Sequence, residues 1–558
     1  MDYDLIIRNA TIVDGTGAAR REGDLAISGD KIAAIGRIGG RGREEIDAKG
    51  LIATPGFVDP HTHYDAQICW DPLLTCSSEH GITSVVIGNC GVGIAPCRPQ
   101  AREIVTRDLV TVEGIPFDVL NRGITWEWES FPQYMDAAAK RGLGINVGFL
   151  VALTPLRHYV LGEESSERAA RPDERERIAA LLREAVEAGA LGFSTTVFRQ
   201  HLGYKGRPLA CRLADHEELA AYANVLRQAD KGVVEIALTQ DLGLLSDQEY
   251  ELVDLLLEHS HRPVTWTALL PRITDLTAHE ATLRKAEPLI RRGGIPQIVS
   301  KGNKILFALR DPFVFAPRAE WKQVFHQSVE RQKQILSDPQ FRATFAEGLK
   351  RPEVFFSGNW KAMSVAEVAD PKLREFEGLG IPEVAQRMGK APVDAFLDLA
   401  IADNLETRFC IFEDFERYLA GLLTDERTLV GLGDGGAHVD MFCGAAYSTY
   451  MVGHWVRDEK LMSLERAIKR MTSEPADFFG LKDRGRLAPG MAADIAIFDY
   501  DTVGEKGPKA SFDLPGGGMR LTVAATGVHY TIVNGQVLYD HGKPRQVLPG
   551  RVLHPGAN

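Results

Sequence analysis

Two histidines stand one residue apart directly after a short apolar run near the start of the chain. The run covers residues 57–60 (FVDP), and the histidines are His61 and His63. In an extended strand alternate side chains lie on the same face, so both imidazoles point the same way. Two imidazoles on one face can bind a single divalent metal ion without any rearrangement of the loop. The spacing therefore predicts a metal site at the end of a strand.

A cysteine follows the next apolar run along the chain. Residues 82–87 are rich in β-branched side chains, which is typical of a strand, and Cys90 comes shortly after them in the sequence GNCG. A cysteine is by default a small buried side chain. When the two runs are neighbouring strands, its thiol lies close to His61 and His63, where it can serve as a soft metal ligand.

These two motifs resemble the N-terminal signatures of a known enzyme family. The chain carries PGFVDPHTHYD at residues 55–65 and HGITSVVIGNCG at residues 80–91. Both are similar to the amidohydrolase superfamily and, within it, to the N-acyl-D-amino-acid deacylase (D-aminoacylase) family, and the resemblance covers nearly the whole chain. It implies a TIM-like (β/α)₈ barrel with a small β-sandwich, and a divalent metal, with zinc first. It also implies that Cys90 replaces the carboxylated lysine of other amidohydrolases as a ligand.

A carboxylate flanked by glycines follows a late apolar run. Residues 428–432 are predicted to form the eighth barrel strand, and Asp434 comes directly after them. On its own it would be a solvated turn aspartate, but the resemblance implies a metal-bound aspartate that also accepts a proton from the attacking water. A metal lowers the pKa of its bound water to about 7, and an adjacent carboxylate can complete the activation. We therefore predict that Asp434 is the catalytic residue.

The chain departs from the family at strands five and six. Family members place one metal-binding histidine at the end of each, but the corresponding residues 234–239 and 264–268 contain none. His259 and His261 precede strand six and so lie at the wrong end of the barrel. We therefore expect one metal ion per chain. Its predicted ligands are His61, His63, Cys90 and Asp434.

Two other consequences of the missing histidines stay open. Another residue can substitute for them, and Glu235 on strand five is the first candidate. Alternatively, the site is altered enough that the activity differs from that of the deacylases or has been lost.

Several polar residues are candidates for substrate binding. Arg199 and His201 follow strand four, where the loops of a barrel face its active site. An arginine fork can bind a substrate carboxylate through two hydrogen bonds. His438, just beyond Asp434, could orient a leaving group or cap the following helix. For each of these residues an ordinary role in a loop explains the sequence equally well. The substrate-binding candidates are Arg199, His201, Glu235 and His438.

The two ends of the chain are predicted to form one small β-sandwich. Residues 1–53 contain short runs of period two separated by glycine and aspartate turns, which is typical of strands. Such strands need a second sheet to bury their other face. Similar runs occur within residues 485–558, including the closing segment RVLHPGAN, and we expect them to supply that partner.

The middle of the chain, residues 54–484, alternates short apolar runs with helical patterns, as parallel βα units do. The clearest helices are predicted at residues 172–188 and 216–228. Residues 312–413 break the pattern and are predicted to be an insertion whose helices cover the mouth of the barrel. The eight predicted barrel strands are residues 56–59, 82–88, 145–151, 190–195, 233–238, 264–269, 295–299 and 428–432.

The composition is that of a globular protein. Of the 558 residues, 44% are hydrophobic and 25% are charged, and the net charge of −12 is spread over the chain. We see no basic face for nucleic acid and no segment for a membrane. The first residues do not resemble a signal peptide, and seven scattered cysteines do not suggest a disulfide framework, so we expect a cytoplasmic protein. A homo-oligomer stays open.

The predicted activity is metal-dependent hydrolysis of the amide C–N bond of a small molecule, an N-acyl (D-)amino acid or a related amide. One alternative is a hydrolase of a cyclic amide, lactone or ester on the same fold. An alternative of another class is a non-catalytic scaffold, because two expected ligands are absent.

Overall fold

The computed structural model describes residues 2–238, 243–271, 275, 277–302, 304–325, 327–351, 356–412 and 415–556. Thr239 and Glu413, which end two of the predicted segments, lie outside these ranges. Within them, no helix is long and apolar enough to cross a membrane.

Eight parallel strands form a barrel in the middle of the chain, and each pairs with the next in chain order. A bridge between Thr62 and Gly435 joins the residues that follow the first and eighth strands and so closes the ring. The barrel is confirmed, and every predicted strand lies within two residues of an observed one. The barrel strands, from the first to the eighth, are Phe57–Asp59, Ile82–Ile87, Asn146–Ala152, Gly192–Thr196, Val233–Ala237, Val264–Thr267, Gly294–Ile298 and Leu429–Val430.

Both predicted helices are present, as Pro172–Glu187 and His216–Ala229. The first begins with proline, whose fixed φ suits the first helical position, and buries an apolar stripe against the barrel. In the second, the Asp215 carboxylate caps the helix by accepting from the Glu218 N–H. The other helices outside the insertion are Arg102–Glu113, Phe117–Gly123, Phe131–Arg141, Leu153–Leu161, Asp247–Ser260, Ala278–Ile290, Leu419–Thr424, Tyr447–Tyr450, Met451–Asp458 (a π-helix), Leu464–Met471 and Ser473–Phe478.

The two ends of the chain share one nine-stranded mixed sheet. Its two parts are joined where Ile495–Phe498 pairs antiparallel with Ile52–Pro55. Apolar side chains from both parts pack in one core, Ile7 and Leu25 from the first and Ile497 from the second among them. The strands are Tyr3–Ile12, Arg21–Ser28, Lys31–Gly36, Gly42–Asp47, Ile52–Pro55, Ile495–Phe498, Val528–Val533, Gln536–Asp540 and Lys543–Pro544. Two short hairpins lie between them, Gly504–Glu505 with Ala525–Thr526 and Lys509–Leu514 with Gly518–Thr522.

The closing segment does not join this sheet. Val552–Leu553 pairs in parallel with the third barrel strand, and Leu553 is buried beside Leu150. The assignment of the closing segment to the sandwich was therefore wrong for this strand. Two residues are too few to show a hydrophobic period. This strand is defined by its pairing with the edge of the third barrel strand.

The stretch between the seventh and eighth barrel strands contains an antiparallel sheet as well as helices. Its aromatic core is separate from that of the barrel, and the rings of Phe315 and Trp321 stack at 4.4 Å. We predicted helices and no strands for this stretch, because its strands are short and lack a clear alternation of apolar and polar residues. The strands are Ile305–Ala308, Met363–Glu367 and Arg408–Ile411, and the helices are Val329–Ser337, Pro339–Gly348, Ile381–Met388 and Pro392–Ala402.

Candidate metal centre

Three buried donor atoms meet at the carboxyl ends of the first two barrel strands. The Nε2 atoms of His61 and His63 lie 3.2 Å apart, and Cys90 Sγ lies 3.4 Å from His61 Nε2. All three donors lie within 4.8 Å of one another. The spacing expected from alternation along a strand thus brings both imidazoles to one point, and the thiol joins them from the neighbouring strand.

Asp434 approaches the same point from the end of the eighth strand. Its Oδ1 lies 3.3 Å from His63 Nε2 and 3.9 Å from His61 Nε2. The Asp434 N–H donates to the His61 carbonyl at 3.0 Å, so the backbone that closes the barrel also positions this carboxylate. Its side chain is 21% exposed, whereas that of His61 is 2% exposed. Asp434 is therefore more exposed to solvent than the histidine beside it.

The turns that carry these donors have unusual backbones. Cys90 and Asp434 have φ values of 56° and 54°, in the left-handed region that costs a non-glycine residue free energy. Gly433 is required because a Cβ there would overlap the Asp59 carboxylate. On the fourth strand Ser194 Oγ accepts from the Gly91 N–H at 2.9 Å and so supports the turn at Cys90.

The two histidines differ in pKa although they are neighbours. Burial, and then the charge of His63, lower the pKa of His61 to about 3. Burial also acts to lower the pKa of His63, but the charge of Glu113 and the hydrogen bond to Asp434 outweigh it and raise that pKa well above its usual value. For Asp434, burial favours the neutral form, but the hydrogen bond and charge of His63 dominate and lower its pKa.

Glu113 is a site residue that the sequence analysis missed. It is the last residue of the helix Arg102–Glu113, it is 1% exposed, and its Oε1 lies 3.1 Å from His63 Nδ1. The contact is close but is not aligned as a full hydrogen bond. No motif marks this glutamate, and only the fold brings it to a histidine 50 positions earlier.

Glu235, predicted as a substitute ligand or a substrate-binding residue, lies behind the donors. Its Oε2 accepts from the Cys90 N–H at 2.6 Å, and its Oε1 lies 4.0 Å from His61 Nδ1. Burial raises the pKa of Glu235 to about 8, against the hydrogen bond from Cys90. Because it is fully buried and does not line the cavity, this position does not support contact with a substrate.

A cavity of about 160 Å³ opens above the four donors. Small residues of the fifth and sixth strands, Ala237 and Thr267, line the wall where the family resemblance led us to expect histidines. Apolar side chains of several loops complete the lining. These are Val112, Phe198, Leu270, Leu432 and Phe442.

The predicted substrate-binding residues differ in their placement. His201 and His438 line the cavity, whereas Arg199 is not among the described residues that do so. His201 Nδ1 lies 2.9 Å from Thr196 Oγ1. Burial, and then the charge of His438, lower the pKa of His201 well below its usual value, so this imidazole is neutral. His438 packs against Phe313 of the insertion, with ring centroids 5.1 Å apart.

The donor set fits a divalent metal ion. Imidazole nitrogen, thiolate sulfur and carboxylate oxygen are the ligand types that zinc prefers. The two Nε2 atoms lie 3.2 Å apart, close enough for one cation to contact both. The carboxylate of Asp434 and the buried carboxylate of Glu113 also favour a positive charge at this point.

The fold and the site together define a barrel hydrolase whose metal centre lies at the carboxyl ends of its strands. The sequence profile of the amidohydrolase family matches residues 44–332 and 366–539, and this chain belongs to that family. It is an enzyme, a hydrolase, as predicted.

Relatives and solved structures support the same class over the full length. The chain is 28% identical to D-aminoacylase of Alcaligenes xylosoxydans xylosoxydans over 99% of this chain and 97% of that protein. It is 28% identical to the N-acyl-D-glutamate deacylase of the same organism over 100% and 97%. The crystal structure of an N-acyl-D-glutamate deacylase from Bordetella bronchiseptica with zinc and a phosphonate inhibitor superposes with a TM-score of 0.69, at 25% identity, over 99% and 100%.

Proposed function

We propose that this chain hydrolyses the amide bond of an N-acyl amino acid with one zinc ion per chain. The observation that carries the proposal is the set of four donors at the base of one cavity, His61, His63, Cys90 and Asp434. The names of the two aligned relatives, D-aminoacylase and N-acyl-D-glutamate deacylase, support an N-acyl amino acid of D configuration as the substrate.

A divalent metal bound by these residues supplies a Lewis acid for the carbonyl oxygen and lowers the pKa of a water molecule. Asp434 is placed to accept the proton of that water, because one of its oxygens faces the histidines and its side chain reaches the cavity. Its lowered pKa keeps the carboxylate ionised at neutral pH. The same carboxyl group can then pass the proton to the leaving nitrogen.

The opposite wall of the cavity suits the rest of the substrate. His201 is a neutral hydrogen-bonding group held by Thr196, and His438 lies close to it. Phe198 and Leu270 offer apolar contact to an acyl group or a side chain. The small residues at the ends of strands five and six support a single metal ion, because Ala237 offers no ligand atom and Thr267 only a weak one.

A substrate screen with a metal assay tests the proposal. The zinc-loaded protein is offered N-acyl derivatives of neutral and acidic amino acids in both configurations, together with cyclic imides and lactones. We expect turnover of the N-acyl D-amino acids, its loss after chelation, and its return with zinc.

Two outcomes contradict the proposal in different ways. Turnover of the rings alone would replace the substrate class and keep the metal centre. A protein that binds no metal and stays inert with zinc, cobalt or manganese would support the scaffold.

We also propose a reducing compartment such as the cytoplasm. All seven cysteines are free, and five of them are buried. Thiols persist in this form where the redox poise keeps them reduced. Mass spectrometry of protein that is acid-precipitated from cells and then alkylated under denaturing conditions measures this directly, and seven alkylated thiols are the expected result.

A further inference from the structure

Glu113 lies buried beside the candidate metal centre, and no arginine or lysine among the described residues forms an ion pair with it. Burying a carboxylate is costly unless a charge or hydrogen bonds compensate it. Across the described part of the chain, the ion pair recorded for Glu113 is the one with His63. The helix ends at this residue because Gly114, with φ 67°, takes the left-handed conformation that stops a helix. The helix end thus places a costly carboxylate beside one imidazole.

His63 uses its two ring nitrogens for different partners. Nε2 faces the donors, 3.3 Å from Asp434 Oδ1 and 3.2 Å from His61 Nε2. Nδ1 faces Glu113 Oε1 at 3.1 Å. A neutral imidazole carries its proton on one nitrogen only, and a carboxylate beside Nδ1 favours the proton there. The lone pair of Nε2 is then free for a metal.

We propose that Glu113 is a positioning residue of the metal centre, which holds His63 in the tautomer and orientation that a metal ion requires. This inference rests on the proposed metal-dependent function. Glu113 is not itself a ligand, because the two nitrogens of an imidazole point in different directions and Glu113 lies on the Nδ1 side. Partners of this kind also raise the basicity of the ligand nitrogen.

The other ligand histidine, His61, interacts with the Gln297 side chain, but no carboxylate of the described residues lies as close to its Nδ1 as Glu113 lies to that of His63. His61 Nδ1 lies 4.0 Å from Glu235 Oε1, which is beyond the length of a hydrogen bond. The other oxygen of Glu235 is already held by the Cys90 N–H. We therefore expect the loss of Glu113 to act on metal binding through His63 alone.

Zinc affinity, measured by competition with a chromophoric chelator, tests this inference in the full-length protein. The variants are Glu113→Ala, Glu113→Gln and Glu113→Asp, and the control is Glu103→Gln. Glu103 belongs to the same helix and is 66% exposed. We expect Glu113→Ala to bind zinc about 10- to 100-fold more weakly and Glu113→Asp to recover part of the loss. The control should match the wild type.

Two further readouts separate positioning from a general loss of structure. The visible spectrum of the cobalt-substituted protein should change in Glu113→Gln, since it reports the ligand field. Metal-free Glu113→Gln should still unfold in one cooperative thermal transition, as the wild type does.

The possible results lead to separate conclusions. Zinc bound by Glu113→Ala and Glu113→Gln as tightly as by the wild type would overturn the inference while the proposed function stands. A wild type that binds no zinc would overturn the proposed function itself. If Glu113→Ala does not fold, the isosteric Glu113→Gln decides alone, with a several-fold weaker affinity expected.

Discussion

The two sides of the barrel mouth differ sharply in their chemistry. His61, His63, Cys90 and Asp434 follow the first, second and eighth strands, and the buried carboxylates of Glu113 and Glu235 lie next to them. The fifth and sixth strands end in Ala237 and Thr267, and of the described residues in the loops beyond them Ala268 and Leu270 line the cavity. We call these the donor side and the open side.

The difference places every candidate metal ligand on one side of the barrel mouth. The donor side lies where the ring closes, so its residues are fixed by backbone bonds such as the one from the His63 N–H to the Gly435 carbonyl, at 2.8 Å. The open side is held by its own strand pairs and needs no polar residue at the mouth. Substitutions there change the shape of the cavity rather than the metal.

The largest effect is expected at Asp434 on the donor side. Asp434→Asn keeps the shape of the side chain but cannot take up a proton at neutral pH, so kcat should fall by about 10²- to 10⁴-fold. The measurement is steady-state kinetics on protein saturated with zinc, with metal content determined in parallel. A kcat within a few fold of the wild type would assign the base elsewhere.

The second prediction concerns the proton that the Cys90 thiol releases when a metal binds on the donor side. Burial, and then the charge of Glu235, raise the pKa of this thiol, so the metal-free form is protonated at neutral pH. Metal binding must release that proton, so the apparent affinity should increase as the pH rises, by about tenfold per pH unit for each proton released.

Cys90→Ala is the variant that tests the source of this pH dependence. It should bind zinc more weakly. The slope of the logarithm of zinc affinity against pH should fall by about one, because one proton fewer is released. Zinc titrations across the neutral range measure both quantities, and an unchanged slope would mean that Cys90 does not bind the metal as a thiolate.

The smallest effect is expected on the open side. Leu270→Ala removes apolar contact from the cavity wall, so KM should rise by about tenfold, while kcat and zinc content stay as in the wild type. A loss of bound zinc in this variant would contradict the division into two sides.

Sequence reasoning found the barrel because its strands are short apolar runs that alternate with helical patterns. It also found the four donors, because each lies within a short motif that strand alternation or the family resemblance identifies. The ligand and catalytic roles of these donors remain predictions, as do the number of subunits and the cellular location.

What the sequence did not reveal depends on contacts between distant segments. Glu113 is one glutamate at the end of an ordinary helix, and its role appears only when that helix packs over the barrel mouth. The pairing of Val552–Leu553 with the third strand is decided by the barrel edge that receives it, since two residues carry too little pattern. Glu235 was noticed on its strand, but its side chain points behind the donors.

The closure of the ring also sets the order in which this protein can mature. The Gly433 N–H donates to Asp59 Oδ1 across 374 positions of sequence. The first and eighth strands, which meet where the ring closes, therefore leave the ribosome far apart in time. Contacts of such separation form late, and an unclosed barrel exposes two strand edges meanwhile. Because Asp434 follows the eighth strand, a nascent chain cannot complete its metal site until synthesis has passed that strand.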